Sequence, residues 1–423
     1  MLVCSANWLL PDGSLSAPPP ACEITGFVRF LHTLAWRAGF RQDGRYAPIE
    51  RVDLVLAGDL LDTLSSRQWH AELRPWQSTP AANQALADVA RSCLRQGRRA
   101  VGGVRRLCRG GLPVPAATPQ GRPSHNRQVT VPVRAVMLQG DRDPRPDLLL
   151  AAGSETVPWQ LATRTHWGDR GQVFVCHGHS LDPATARPDS WEPRSPSLQE
   201  SLAVDLVGRF VGSLQEHTPA SNWRSIARLL ATAPPLAFPN TISAWGRQLA
   251  AEGTRCDRID DLWRQAVAAW HREARRDPPS VVDLAVDITD RLAGWLDHRP
   301  LRDEPPLAPT DVVRWLSVPP DEVRSRARRL VAAETELIVL GQMAGDNASA
   351  ATADDPITVT GLGRRADCLS PSLSATAVFE HGEHGGSRLA HGPAGQQRLI
   401  NGYAPAVVGK VPPEGVVDAV RAA

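Results

Sequence analysis

Val52-Asp53-Leu54-Val55-Leu56-Ala57-Gly58-Asp59-Leu60-Leu61-Asp62 is the stretch on which the reading of this chain turns. Val52–Ala57 is apolar except at Asp53, the pattern of a strand buried on both faces. Glycine at 58 lets the backbone turn sharply and sets the next side chain, Asp59, over the end of the sheet. Two more apolar runs end in the same way. Val129–Leu138 is closed by Gly140-Asp141-Arg142-Asp143, and Gln172–Cys176 by His177-Gly178-His179-Ser180-Leu181-Asp182. Met1–Cys4 is a short strand before them, and Glu336–Leu340, closed by Gly341, is the last of the kind. Ligands of α/β sheets collect at the carboxyl ends of strands. Carboxylates and imidazoles converging there from separate strands are what a metal site needs. Any one piece reads as a turn; three in register with buried strands read as a site.

The rest of the chain supplies helices. Ile24–Ala38 has apolar residues at helical spacing, and Asn83–Leu107 has a helical pattern that Gly97 and Gly102-Gly103 are expected to break. From Ser197 to about Ala333 the chain is mostly helical and carries Trp223, Trp245, Trp263, Trp270, Trp295 and Trp315, read as core residues. Ile357–Thr360, Ala375–Phe379, Arg398–Ile400 and Ala406–Val411 are strand-like. His381, Glu383, His384 and His391 sit in a Gly-rich setting that reads as a hairpin or loop rather than a metal cluster. The expected fold class is an α/β layered core with a large helical insertion. The expected parts are residues 1–182, the N-terminal part of the core; 183–334, the helical insertion; and 335–423, the C-terminal part of the core.

Composition excludes several classes. With 42% hydrophobic and 22% charged residues in 423, the chain is not wholly disordered. Its net charge is only +2. Lys410 is the sole lysine, so 46 of the 47 basic residues are arginine. GC-rich codons explain that bias. The basic runs Arg95–Arg109 and Arg324–Arg329 therefore read as solvated faces, with nucleic-acid contact the minority reading. No run of about 18 apolar residues exists to span a membrane, and Met1–Leu10 lacks the basic flank of a signal peptide. The seven cysteines are scattered without a CxxC, which leads to an expectation of reduced thiols and a cytoplasmic location.

In order and spacing the glycine-closed blocks resemble the calcineurin-like metallophosphoesterase family. Its pattern is D-x-H after the first strand, G-D-x-x-D after the second, then G-N-H-D/E, H-G-(H/D) and G-H-x-H. Gly58–Asp62 matches the second block, Gly140–Asp143 is a modified third, and His177-Gly178-His179 fits the fourth. Gly341-Gln342-Met343-Ala344 stands where the fifth belongs, and Leu399–Gly402 resembles the closing strand. The resemblance covers roughly residues 1–182 and 335–411. It implies a metallophosphoesterase-like two-sheet sandwich flanked by helices, and a two-metal site.

The departures are informative. Ala6 and Trp8 stand where the family has its first Asp and His; Asp141 replaces the Asn and Arg142 the catalytic His; Gln342 and Ala344 replace two His ligands. Mapped residue by residue, the first metal keeps only Asp59. The second keeps Asp59, Asp141 and His177, with Gln342 offering a carbonyl oxygen. The implied cofactor is thus one divalent cation, Mn²⁺, Mg²⁺ or Zn²⁺, or none. Arg142 cannot serve as an acid, but its fork can hold a phosphate oxygen beside Asp143, or pair with Asp141 or Asp143. Trp8 is expected to plug the emptied first site. The leading expectation is a protein that has lost dinuclear phosphoester hydrolysis and binds or scaffolds, with a protein partner through the helical insertion. The rival is a single-metal phosphoesterase acting on a phosphoester substrate through Asp59, Asp141 and His177. Gly178–Asp182 lacks the last glycine of a serine-hydrolase elbow, which disfavours that chemistry.

Overall fold

The computed structural model describes residues 1–5, 8–15, 21–41, 43–70, 73–143, 159–162, 164–167, 173–181, 195–233, 235–253, 258–279, 286–301, 310, 312, 320–331, 335, 337–340, 358–361, 376–381 and 387–391. In chain order the strands are β1 (Leu2–Ser5), β2 (Leu10–Pro11), β3 (Val52–Leu56), β4 (Leu61–Asp62), β5 (Leu112–Ala117), β6 (Pro123–Val131) and β7 (Val133–Leu138). They continue as β8 (Trp159–Ala162), β9 (Arg164–Trp167), β10 (Val173–Cys176), β11 (Leu337–Leu340), β12 (Thr358–Gly361), β13 (Thr376–His381) and β14 (Ser387–His391). One sheet has the order β14-β13-β1-β3-β7-β8 and a second the order β12-β11-β10-β9. The centre of each is parallel, which makes the class α/β. Parallel neighbours need crossovers. The helix Ala21–Arg37 links β1 to β3, and the helices Pro80–Gln96 and Arg98–Gly110 lie between β3 and β7.

Strand alternation explains why the central runs look apolar throughout. Val52, Leu54 and Leu56 of β3 pack with Val3, Val133, Ala135 and Met137 under the helices. Val55 and Ala57 point the other way, to join Leu2, Cys4 and Leu138 against Val173 and Val175 of the second sheet. The two sheets therefore stack through one apolar layer. On the far face of the second sheet, Phe174, Cys176, Ile338 and Leu340 meet Ala327 of the helix Pro320–Arg328.

Between β10 and β11, which are parallel neighbours, lies the helical segment. The expected boundaries at 183 and 334 fall outside the described residues. Its helices share a core of their own that contains Trp223, Trp245, Trp263, Trp270 and Trp295, while Trp315 lies outside the described residues. Ser197 opens it with a capping box, its hydroxyl accepting from Glu200 N at 3.1 Å and its own N–H donating to Glu200 at 2.8 Å. The helix then widens to π form over Leu202–Gly208. Buried Asp205 sits there and pairs with Arg74 of the core at 2.9 Å. The Trp270 indole N–H donates to Ser201 Oγ at 2.9 Å. Trp270→Phe loses that bond inside a dry core, so urea unfolding should register about 1–2 kcal/mol of lost stability.

The structure departs from the sequence expectations in several places. Gly97 ends the helix Pro80–Gln96, but Gly102 and Gly103 lie inside Arg98–Gly110. A Cβ at Gly103 would come within 2.6 Å of Ile24, so that glycine serves close helix packing rather than a break. Val129–Leu138 is two strands: the end of β6, paired antiparallel with β5, and then β7 beyond Pro132. β2, β4, β5, β8 and β9 are not among the expected strands. His381 and His391 end β13 and β14, a hairpin whose register sets His381 opposite Ser387; Glu383 and His384 lie outside the described residues. Arg398–Ile400 and Ala406–Val411 lie outside them too. No helix among the described residues is long and apolar enough to cross a membrane. Cys4, Cys93, Cys108 and Cys176 carry free thiols.

Candidate metal centre

Ser5, Leu56 and Met137 are in register, so the loops after β1, β3 and β7 leave the sheet side by side. His177 reaches them from the end of β10 in the other layer. Gly58 (φ 94°) and Asp59 (φ 52°) both adopt left-handed backbone. For a non-glycine residue that conformation costs about 1–2 kcal/mol, and Asp tolerates it better than most. It persists because the surroundings hold it: Leu9 N donates to Asp59 O at 2.9 Å, Leu10 N to Leu60 O at 2.8 Å, and Arg142 N to Asp59 Oδ1 at 3.1 Å. A Cβ at Gly58 would lie 2.2 Å from the His177 ring. The missing side chain is what lets the layers close.

Asp59, Asp141 and His177 each present a ligand atom within 4.8 Å of the other two, and all three are buried. His177 Nε2 lies 3.5 Å from Asp59 Oδ2, and His177 Nδ1 lies 3.5 Å from Asp141 Oδ1. A charge-assisted hydrogen bond would be shorter, about 2.7–2.9 Å. Two ligands about 2.1 Å from one ion stand about 3.4 Å apart at a tetrahedral angle. The spacing of His177 Nε2 and Asp59 Oδ2 fits a shared cation, with an Asp141 oxygen within 4.8 Å as the third donor. His179 Nδ1 lies 3.2 Å from His177 Nδ1. The tautomer in which His177 donates Nδ1–H to His179 leaves Nε2 bare and facing Asp59, the outer-shell arrangement of a metal histidine.

Charge balance points the same way. Asp59, Asp62, Asp141 and Asp143 are all buried, with Arg142 as the buried guanidinium among them. Arg142 pairs with Asp62 at 2.8 Å and donates to the carbonyl of Ala231 at 2.8 Å, in the last turn of the helix Ala220–Thr232. The expected pairing with Asp141 or Asp143 is not the one formed. Asp143 instead accepts backbone N–H bonds from Leu61 (2.8 Å), Gly140 (2.9 Å) and Leu60 (3.4 Å), tying the two loops together. Burial and the neighbouring Asp59 push its carboxyl up to about 7, against the pull of the Leu61 and Gly140 donors and His177. The nearby Asp62 and Asp59 carboxylates outweigh desolvation and raise Arg142 further. An excess of buried negative charge calls for a cation.

Other candidates are placed as follows. Trp8 is a core residue: its ring meets Phe27 edge-on at 5.4 Å and its indole N–H donates to Ser5 Oγ at 3.0 Å. Gln342, Ala344 and Ala6 lie outside the described residues. Ser180 is exposed on the short helical turn His179–Leu181. Burial pushes the Cys176 thiol up to about 12, so it offers no thiolate near neutral pH. Asp62, the partner of Arg142, was legible only as the last residue of the Gly58–Asp62 block. No protein-family model, curated protein or solved structure matches the chain.

Proposed function

We propose that the chain is a divergent metallophosphoesterase-like protein that has lost dinuclear phosphoester hydrolysis, keeps one divalent-cation site and acts as a binding or scaffolding protein. The observation that supports this most is the uneven fate of the two metal positions. Asp59, Asp141 and His177 converge as a buried donor set, whereas the loop after β1 contributes a core tryptophan, Trp8. Arg142, at the position of the family's catalytic histidine, is committed to Asp62 and Ala231. Two carboxylates and one imidazole suit Mn²⁺, Mg²⁺ or Zn²⁺. The bound ion would neutralise the carboxylates and supply Lewis acidity. Asp59 and Asp141 would hold it, and His179 would orient His177. The helical segment, with its own core, is the surface for a protein partner.

Metal analysis of protein purified without chelators should give about one divalent ion per chain, no phosphodiester or phosphomonoester turnover, and at least 100-fold weaker binding in Asp59→Asn. No metal would sink the site. Turnover that vanishes in Asp59→Asn would favour the second reading, a single-metal phosphoesterase. Arg142 also lines a small cleft with Ser65, Gln199 and Phe238, which none of the three donors lines.

A further inference from the structure

We propose that the outer helical face formed by Pro80–Gln96, Arg98–Gly110 and the β5–β6 hairpin binds the phosphate backbone of duplex nucleic acid. Residues 89–140 contain ten arginines and not one Asp or Glu. With a net charge of +2 overall, the rest of the chain therefore carries −8. Codon bias explains arginine in place of lysine; it does not remove carboxylates. An even spread of the chain's 45 would put about five in this stretch.

The fold turns this stretch into a surface. In Arg98–Gly110 the buried residues Val101, Gly103, Val104 and Leu107 face inward. Arg98, Arg99, Arg106 and Arg109 are exposed on the same helix, as are Arg91 and Arg95 on the helix before it. Arg122 and Arg127 are exposed on or beside the hairpin strand β6; Arg134 alternates with Val133 and Ala135 on β7 and so lies on the opposite side of that sheet, outside this face. Arg91 pairs with Asp88. Arg98, Arg99, Arg106, Arg109, Arg122 and Arg127 make no ion pair among the described residues. Unpaired guanidinium forks at the surface match phosphate oxygens, and their charge draws a polyanion from a distance. Residues 89–140 also contain no Trp, Tyr or Phe. Single-strand binders rely on aromatic platforms for unstacked bases. A face with charge and no aromatic ring favours the regular backbone of a duplex, contacted without sequence readout.

The test is fluorescence anisotropy of the full chain with a 30-base-pair DNA duplex between 50 and 200 mM salt. Contact with four or five phosphates should make log K fall with log salt at a slope of roughly −4. Arg98→Ala/Arg99→Ala/Arg106→Ala/Arg109→Ala should weaken binding at least tenfold at 50 mM salt and flatten the slope. Arg122→Ala/Arg127→Ala should do so to a smaller degree. These side chains are exposed, and unchanged circular dichroism would show that the variants fold. Arg247→Ala/Arg272→Ala/Arg276→Ala, an exposed set on the helical segment, should stay within twofold of the parent. Absence of binding at 50 mM salt, equal loss in the control set, preference for a single strand of equal length, or displacement by polyglutamate at equal charge would each overturn the proposal. The outcome is independent of metal content.

Discussion

Arg142→Met is expected to destabilise the chain by about 3–5 kcal/mol, the cost of stripping a buried carboxylate of its cation. Both partners of the Arg142–Asp62 pair are nearly inaccessible, with 4% and 3% of their side-chain surface exposed, so solvent cannot take the place of the guanidinium. Methionine keeps the length of the stem and removes the charge. Asp62 then lies buried without its partner, and the helix Ala220–Thr232 loses the donor that satisfies Ala231 O. Asp62→Asn should cost less, about 1–3 kcal/mol, because Asp59 and Asp141 still face the guanidinium. Arg142→Met/Asp62→Leu should fall well short of the sum of the single losses, since both charges leave together. Removing the arginine also deepens the negative potential around Asp59 and Asp141. A divalent ion should therefore bind Arg142→Met more tightly than the parent and restore part of its stability, by mass action on the folded state. Urea unfolding of the three variants with and without metal reads all of this. A cost under 1 kcal/mol for Arg142→Met would mean that Arg142 is not the buried counter-ion.

The donor residues were legible because each stands next to a glycine at the end of an apolar run, and strand alternation makes such runs conspicuous when both faces are buried. Asp59, Asp141 and His177 were found that way, and they converge because register sets the strand ends level. What depends on contacts across loops was not legible. Spacing along the chain favoured Arg142 with its neighbours Asp141 and Asp143, but each of those faces elsewhere: Asp141 toward His177, and Asp143 toward three backbone N–H groups. Asp62, 80 residues away, was left to take the guanidinium. The β5–β6 hairpin was hidden because Pro113, Pro115 and Pro123 argue against strands, and because β6 shows exposed residues along most of its length. The absence of carboxylates from 89–140 was visible in the sequence, but only the fold shows which of its arginines are exposed.

Gly140→Ala is expected to cost about 3 kcal/mol or more and to abolish cation binding, because a single methyl group has nowhere to go. A Cβ at 140 would stand 2.2 Å from Asp59 Oδ1 and 2.3 Å from Asp59 N. A side-chain oxygen alone could rotate away, but the backbone nitrogen cannot. Asp59 is held on its carbonyl by Leu9 N, on its carboxylate by Arg142 N, and by its own left-handed conformation. Either the loop at 140 lifts, which breaks the Gly140 N and Leu61 N bonds to Asp143, or Asp59 is driven out of the donor cluster. Both routes separate Asp59 from Asp141. Gly102→Ala is the matched control. Its Cβ would have only the tip of Arg106 within 4 Å, at 3.8 Å, and it lies inside a helix, so the same substitution should stabilise by about 0.5–1 kcal/mol. Opposite signs from one chemical change would separate a close approach of two loops from the ordinary backbone freedom of glycine. If Gly140→Ala unfolds within 1 kcal/mol of the parent and still binds one ion per chain, the loops after β3 and β7 do not meet as described.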